Sequence, residues 1–264
     1  MKCKTDLLSE KIKRGETCFG THTCWGGALL TEMYGMAGYD MVWIDTEHGA
    51  IDYATLLNTL VGVNTSDKMC SFVRIAWNDM VRAKPILDMG VDGIIFPMII
   101  TPEDAKNAVA AVRYPPAGVR GFGPGRAVSY GADSVKDYIA TEHKKVWAIL
   151  QIEDIRCVRN LDEIIKVPGI DAFIVGPCDL SASMGLLGQV SHPDVKKVMD
   201  EVAAKVKAAG IPFGVSMGYH EQAVRDWIGR GASMIFADNE AGYVFNGCTT
   251  TLANMNRIRE ESKK

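Results

Sequence analysis

Short runs of β-branched, aromatic and other apolar residues recur along the chain, and between them lie stretches with apolar positions three and four apart. Eight runs read as strands: Cys18–Thr23, Met41–Thr46, Phe72–Ala76, Gly93–Met98, Val146–Ile152, Ala172–Val175, Pro212–Ser216 and Met234–Ala237. Most are apolar almost throughout, as strands covered on both faces must be. The intervening stretches read as helices over Tyr53–Val63, Met80–Met89, Pro102–Val112, Val158–Ile165, Pro193–Ala209 and Glu221–Gly229. Local punctuation agrees. Thr101-Pro102-Glu103-Asp104 supplies a capping hydroxyl, a proline for the first turn and acids near the helix start. At Gly90-Val91-Asp92, Gly169-Ile170-Asp171 and Gly231-Ala232-Ser233 a glycine closes a helix and a strand follows at once.

Eight strands alternating with helices over about 250 residues predict an α/β fold, a (β/α)8 barrel forming one domain over residues 1–264. A doubly wound sheet is the weaker alternative, because no Gly-x-Gly-x-x-Gly follows the first strand. The segment Arg113–Arg126, rich in Gly, Pro and Arg, reads as a long shaped loop.

Composition narrows the partners. With 47% hydrophobic residues the chain is not disordered, and a net charge of −3 gives no attraction to nucleic acid or an anionic membrane surface. No apolar run approaches the roughly 20 residues that span a bilayer. A soluble, cytoplasmic protein is expected. The seven cysteines contain no Cys-x-x-Cys pair and read as reduced thiols rather than metal ligands.

A barrel carries its chemistry at the C-terminal ends of its strands. There the sequence places Asp45-Thr46-Glu47-His48, Arg74, Gln151-Ile152-Glu153-Asp154 and Gly176-Pro177-Cys178-Asp179-Leu180-Ser181. Charges in such places need a partner or a ligand. Glu153 and Asp179 end adjacent strands, and two carboxylates with open positions suit a hard divalent cation, although two helix caps or a pairing with Arg74 would place the same residues there. His48, close to Asp45, is a candidate general base, or a hydrogen-bonded structural histidine. Arg74, inside an apolar strand, requires an anion. His22, His143, His192 and His220 are less distinctive; His192, before Pro193, reads as a helix cap.

Taken together, Ile44-Asp45-Thr46-Glu47-His48, Val73-Arg74, Leu87-Asp88-Met89-Gly90, Pro97-Met98, Arg113-Tyr114-Pro115-Pro116 with Arg120-Gly121, Gln151-Ile152-Glu153 and Gly176-Pro177-Cys178-Asp179-Leu180-Ser181 resemble the HpcH/HpaI family of metal-dependent class II pyruvate aldolases. The resemblance covers about residues 17–240. It implies a barrel that binds Mg2+, Mn2+ or Co2+ through Glu153 and Asp179. It implies pyruvate and an aldehyde as substrates, with 4-hydroxy-2-oxoheptanedioate as one example of the 4-hydroxy-2-oxoacids cleaved. Gln151 and the turn Gly176, Pro177 and Cys178 would hold pyruvate. Arg74 would stabilise the enolate oxygen, and His48, oriented by Asp45, would relay a proton through water. Asp88 would support the site from behind or from a neighbouring subunit. The family also implies a homo-oligomer, a hexamer built from dimers that exchange a C-terminal helix, here Thr249–Glu261. Three departures stand out: Cys178 replaces a common Ala, Gly49-Ala50 follows His48 in place of the common Ala-Pro, and the last strand ends in Phe236-Ala237-Asp238-Asn239 without the usual glycine. Citryl- or malyl-CoA lyases on the same scaffold, or a barrel that only binds a small molecule, are the alternatives.

Overall fold

Inward and outward side chains alternate along eight parallel strands, and that alternation divides the apolar residues between two cores. A computed structural model describes residues 3–141 and 145–263, so His143 lies outside the described residues. The strands are β1 (Cys18–Thr23), β2 (Met41–Asp45), β3 (Cys70–Arg74), β4 (Gly93–Phe96), β5 (Trp147–Ile152), β6 (Ala172–Val175), β7 (Phe213–Met217) and β8 (Met234–Asn239). Each pairs with the next, and β8 returns to β1, closing a (β/α)8 barrel without a free edge.

Met41, Trp43, Phe72, Ile149, Ile174 and Phe236 point inward and fill the barrel. Their neighbours Val42, Ile44, Val73, Leu150, Phe173 and Ile235 point outward into the layer beneath the helices. This double burial explains why the strands read as continuous apolar runs. Continuing the inward register toward the C-terminal ends brings up His22, Asp45, Arg74, Gln151, Glu153, Gly176 and Ser216. Polarity in the barrel interior is thus confined to its mouth.

The helices are α1 (Lys4–Lys13), α2 (Ala28–Ala37), α3 (Tyr53–Val63), α4 (Met80–Asp88), α5 (Pro102–Val112), α6 (Val135–Ala140), α7 (Ile155–Ile164), α8 (Pro177–Ser183), α9 (Pro193–Ala208), α10 (Glu221–Arg230) and α11 (Glu240–Glu261). The expected capping box forms at Thr101 and Asp104, and the His192 side chain caps α9 by accepting the Asp194 N–H. β3 begins and ends two residues earlier than the apolar run Phe72–Ala76. Its pairing with β2 starts at Cys70, opposite Met41, and a small polar residue, Ser71, hides that start. The last helix starts at Glu240 rather than Thr249, since Asn239 caps it by accepting the Gly242 N–H. α11 meets the barrel chiefly at β8 and leaves Phe245, Leu252, Met255 and Ile258 exposed. On α2, Leu29, Met33 and Met36 form a second exposed apolar row.

The inner core demands a missing side chain at Gly20. A Cβ there would sit 2.6 Å from the Phe236 ring and 3.0 Å from the Met41 carbonyl oxygen. Gly20→Ala should therefore destabilise the barrel by about 1–3 kcal/mol through overpacking. Urea unfolding of the two proteins measures it; coincident midpoints would show that the Phe236 ring can swing aside.

Candidate active site

The mouth is organised around one buried guanidinium. Arg74, the last residue of β3, lies opposite Asp45, the last of β2. Its Nε donates to Asp45 Oδ1 at 3.1 Å and its Nη2 to Oδ2 at 2.5 Å, a two-pronged pair. Nη1 lies 3.0 Å from Glu47 Oε2 as an ion pair. That contact lacks hydrogen-bond alignment, so Oε2 is buried with no donor. The Arg74 guanidinium also lies over the Trp43 ring, 5.1 Å from its centre. Burial works against ionising Asp45. The Arg74 contacts and the N–H groups of His48 and Glu47 outweigh it and hold this carboxyl below the usual range.

Asp45 reaches His48 through the backbone: Oδ1 accepts the N–H groups of Glu47 at 3.0 Å and His48 at 3.2 Å. Its carboxylate therefore shapes the turn that carries the imidazole rather than orienting the ring, as the sequence had suggested. The His48 side chain stands exposed at the rim.

Glu153 follows β5 and is buried. Oε1 accepts the Met98 N–H at 2.6 Å and Oε2 accepts the Gln151 amide at 2.5 Å. Met98 presents that N–H from a left-handed backbone, φ 56°. Burial, then the charges of Glu47 and Asp179, push the Glu153 carboxyl up to about 7, although the Met98 N–H pulls the other way. Gln151 Oε1 is buried without a partner. Gly176 follows β6 as the cap residue of α8, and a Cβ there would come within 2.8 Å of Gln151 Nε2. Pro177 and Cys178 follow in the first turn of α8, and Asp179 is exposed to the mouth.

Among the described residues no three His, Cys, Asp or Glu side chains form a ready cage for a metal ion. The donor set nevertheless fits a hard cation that keeps several positions for water and substrate. Glu153 and Asp179 supply two carboxylates. An orphaned acceptor on Gln151 and the bare Gly176 backbone leave a small polar space beside them.

Asp88 is not brought to this site within the chain. It ends α4 at the opposite end of the barrel, where the connection runs through Asp92 into the start of β4. There it accepts from Arg120 Nη2 at 3.2 Å. A residue at the N-terminal end of the strands cannot back up its own chain's mouth. Glu47 is the residue that sequence reasoning left without a role; its signal was a second acid beside Asp45 at one strand end. None of the lysines among the described residues lies on a barrel strand.

A closed parallel barrel with buried charges gathered at its C-terminal strand ends has the architecture of the barrel enzymes. The chain belongs to the HpcH/HpaI aldolase/citrate lyase family, whose model matches residues 26–237. It is 35% identical over 257 residues to a 5-keto-4-deoxy-D-glucarate aldolase of Salmonella arizonae, covering 96% of this chain and 95% of that one. Among solved structures it is similar to an HpcH/HpaI aldolase/citrate lyase family protein from Burkholderia cenocepacia, with a TM-score of 0.89, 31% identity and coverage of 96% and 99%. It also resembles citrate synthase SbnG, with a TM-score of 0.84, 25% identity and coverage of 96% and 98%. The chain is thus a carbon–carbon lyase of the aldolase kind, in a family that generally depends on a divalent metal.

The raised Glu153 pKa has a testable sign. A free carboxyl titrates near 4.3. In the cation-free protein the buried carboxylate is penalised only when ionised, so its contribution falls as pH rises from about 4.5 to about 7. The full effect is about 3 kcal/mol. Glu153→Gln should therefore be more stable than the parent at pH 8 under chelation, with the gap closing by pH 4. Thermal unfolding across that range decides it, and parallel curves would mean that Glu153 is not strained. Cation affinity of the parent should fall about tenfold for each pH unit below 7, because each ion must displace a proton.

Proposed function

We propose that this protein is a divalent-cation-dependent aldolase that joins the enolate of pyruvate to an aldehyde and cleaves the resulting 4-hydroxy-2-oxoacids. The observation that carries this reading is the gathering of Glu47, Glu153 and Asp179 at one mouth beside Arg74. Glu153 and Asp179 would hold Mg2+, Mn2+ or Co2+. When bound, the cation supplies positive charge to the carboxylate and keto oxygens of pyruvate.

The chain's own residues do the rest. The first-turn N–H groups of α8, at Cys178 and Asp179, have no carbonyl within the helix to bond and face the pyruvate carboxylate from the Gly176–Cys178 turn. Gln151 contacts pyruvate with the acceptor that the fold leaves free. Arg74 keeps N–H groups beyond those directed at Asp45 and Glu47, and these meet the keto oxygen as it becomes an enolate. His48, at the wet rim, takes the methyl proton through a water in condensation and returns it to the new hydroxyl oxygen; in cleavage it takes that hydroxyl proton and returns it to the enolate carbon. The name 5-keto-4-deoxy-D-glucarate describes a keto group beside a terminal carboxyl with a deoxy carbon next to it, the pattern such a cleavage needs. It favours a hydroxylated substrate over 4-hydroxy-2-oxoheptanedioate. The exposed row on α11 is suited to the Leu29, Met33 and Met36 row on α2 of a second copy, giving exchanged dimers within a larger homo-oligomer, in which Asp88 could reach a neighbour's site. We place the enzyme in the cytoplasm, as its charge and patterning suggest.

The test is exchange of the pyruvate methyl protons with deuterium oxide, with and without a chelator. Exchange that persists after the divalent ions are removed would sink the metal-dependent reading. His48→Ala should slow exchange about 10²–10⁴-fold. An undiminished rate would reassign the base. Arg74→Lys keeps a charge but loses the planar fork, and turnover should fall at least about tenfold while cation binding persists. A Lys variant that turns over normally but unfolds early would make Arg74 a purely structural ion.

A further inference from the structure

On the β7–β8–β1 arc of the mouth lies a hydrogen-bonded chain that the steps above do not use. His22 Nδ1 is 2.9 Å from the Asp238 carbonyl oxygen, and His22 Nε2 is 2.8 Å from Ser216 Oγ. The imidazole packs against Trp43 and Phe236, with ring centres 5.4 and 5.9 Å away. The fold goes to some length to aim that carbonyl. Gly20 pairs with Phe236 but His22 pairs with Asn239, so β8 carries an extra residue at this point. Within the bulge Asp238 takes a left-handed backbone, φ 61°, steadied by its own Oδ1 accepting the Asn239 N–H.

The partners fix the direction of every bond. A carbonyl oxygen only accepts, so the proton sits on Nδ1. Burial, with help from Arg74, pushes the imidazole down to about 4 against the pull of the Asp238 carbonyl, so the ring is neutral at ordinary pH. Nε2 is then a lone pair, and Ser216 must direct its one O–H toward it. What remains on Ser216 Oγ is lone pairs alone. The position matters as well as the polarity. Val215 pairs with Val175, which sets Ser216 beside Gly176 at the end of β6. Ser216 also lies on the wall of a cavity of about 410 Å3 that touches Pro177 and Cys178. An aldehyde that approached pyruvate along the Pro177–Cys178 side of this cavity would pass Ser216.

We propose that Ser216, its proton held by His22, is an obligate acceptor that selects aldehydes bearing a hydroxyl next to the carbonyl over aldehydes with a plain alkyl carbon in that place. The inference rests on the aldolase reading and names the class of its second substrate. A substrate hydroxyl can donate to Ser216 Oγ. A carboxylate would set lone pairs against lone pairs, and a plain alkyl group would leave the oxygen unmatched.

The test uses the full-length, Mn2+-loaded protein with pyruvate and three aldehydes: glycolaldehyde, its near-isostere propanal, and succinic semialdehyde. The expected order of kcat/KM is glycolaldehyde, propanal, succinic semialdehyde. Ser216→Ala should cut the glycolaldehyde-to-propanal ratio about 3–10-fold, the worth of one neutral hydrogen bond. His22→Phe frees the Ser216 proton to donate, so the succinic semialdehyde-to-propanal ratio should rise; this variant decides the matter if Ser216→Ala does not fold. Ratios unmoved in the folded variants overturn the proposal, as does a parent enzyme that prefers succinic semialdehyde. Nitrogen-15 histidine NMR of the parent should show His22 protonated on Nδ1 alone from pH 5 to 8, and a proton on Nε2 overturns it independently of activity. Pyruvate methyl exchange by the parent is the control. Its absence removes the aldolase reading and this inference with it, whereas exchange with unmoved ratios removes the inference alone.

Discussion

The pairing of Arg74 with Asp45 is the interaction on which the mouth of the barrel depends. Two unit charges 4 Å apart attract by about 4 kcal/mol at the effective dielectric of a protein's outer layers. Losing the guanidinium would leave Asp45 and Glu47 facing each other across a buried gap. Four acids, Asp45, Glu47, Glu153 and Asp179, surround one arginine, so the site carries surplus negative charge. Arg74 neutralises the first two by direct contact. Burial first, and then the charges of Glu47 and Asp179, push the Glu153 carboxyl up to about 7. In the proposed reading, a divalent cation would resolve the same conflict without the proton. The electrostatic imbalance that would be a liability in a structural barrel would, in the proposed reading, be the condition for binding an ion and steadying an enolate.

Rigidity at the mouth follows from the same bonds. Both oxygens of Glu153 are fixed, one by a main-chain N–H from the β4 end and one by Gln151 two residues upstream. Trp43 lies under the Arg74 guanidinium and against His22, so the charged arc and the neutral arc share one floor. That floor is tightly filled because Gly20 gives up its side chain to Phe236. A substrate bound there would meet polar groups already aimed, with the exposed His48 and Asp179 at the rim the freest to adjust.

Much of this was legible in the chain because barrel strands impose a strong pattern. Strand runs, the glycine-then-strand joints and the acids at strand ends follow from one-dimensional rules, and the family resemblance added roles. What could not be read were relations between distant strands. Ser216 looked like the tail of an apolar run; its bond to His22 crosses 194 positions and skips over β8. The bulge that aims the Asp238 carbonyl depends on register, which the sequence does not state. Asp45 stood three positions from His48 and so looked like the orienter of its ring. The closer partner was Arg74, 29 positions away but adjacent across the sheet. The helix α2 escaped notice because its apolar face is exposed, which blurs the amphipathic period.

Location also sorts charges that sequence alone leaves equivalent. The long loop after α5 carries Arg113, Arg120 and Arg126, as natural a set of substrate ligands as Arg74. All three turn away from the mouth. Arg113 donates to the Val146 carbonyl and pairs with Asp171 at 2.9 Å. Arg126 donates to the carbonyls of Met89 and Leu60. Arg120, fully buried, stacks over Tyr114 at 4.6 Å and pairs with Asp88, while its Nε and Nη1 find no hydrogen-bond acceptor. Each ties the loop to groups at the N-terminal end of the barrel, where conserving shape rather than chemistry is the demand. A guanidinium stacked on tyrosine can tolerate unmatched N–H groups that an isolated one could not. Arg74 differs only in facing the other way along the barrel axis, and that difference in direction separates an arginine that holds the fold from one that can meet a substrate.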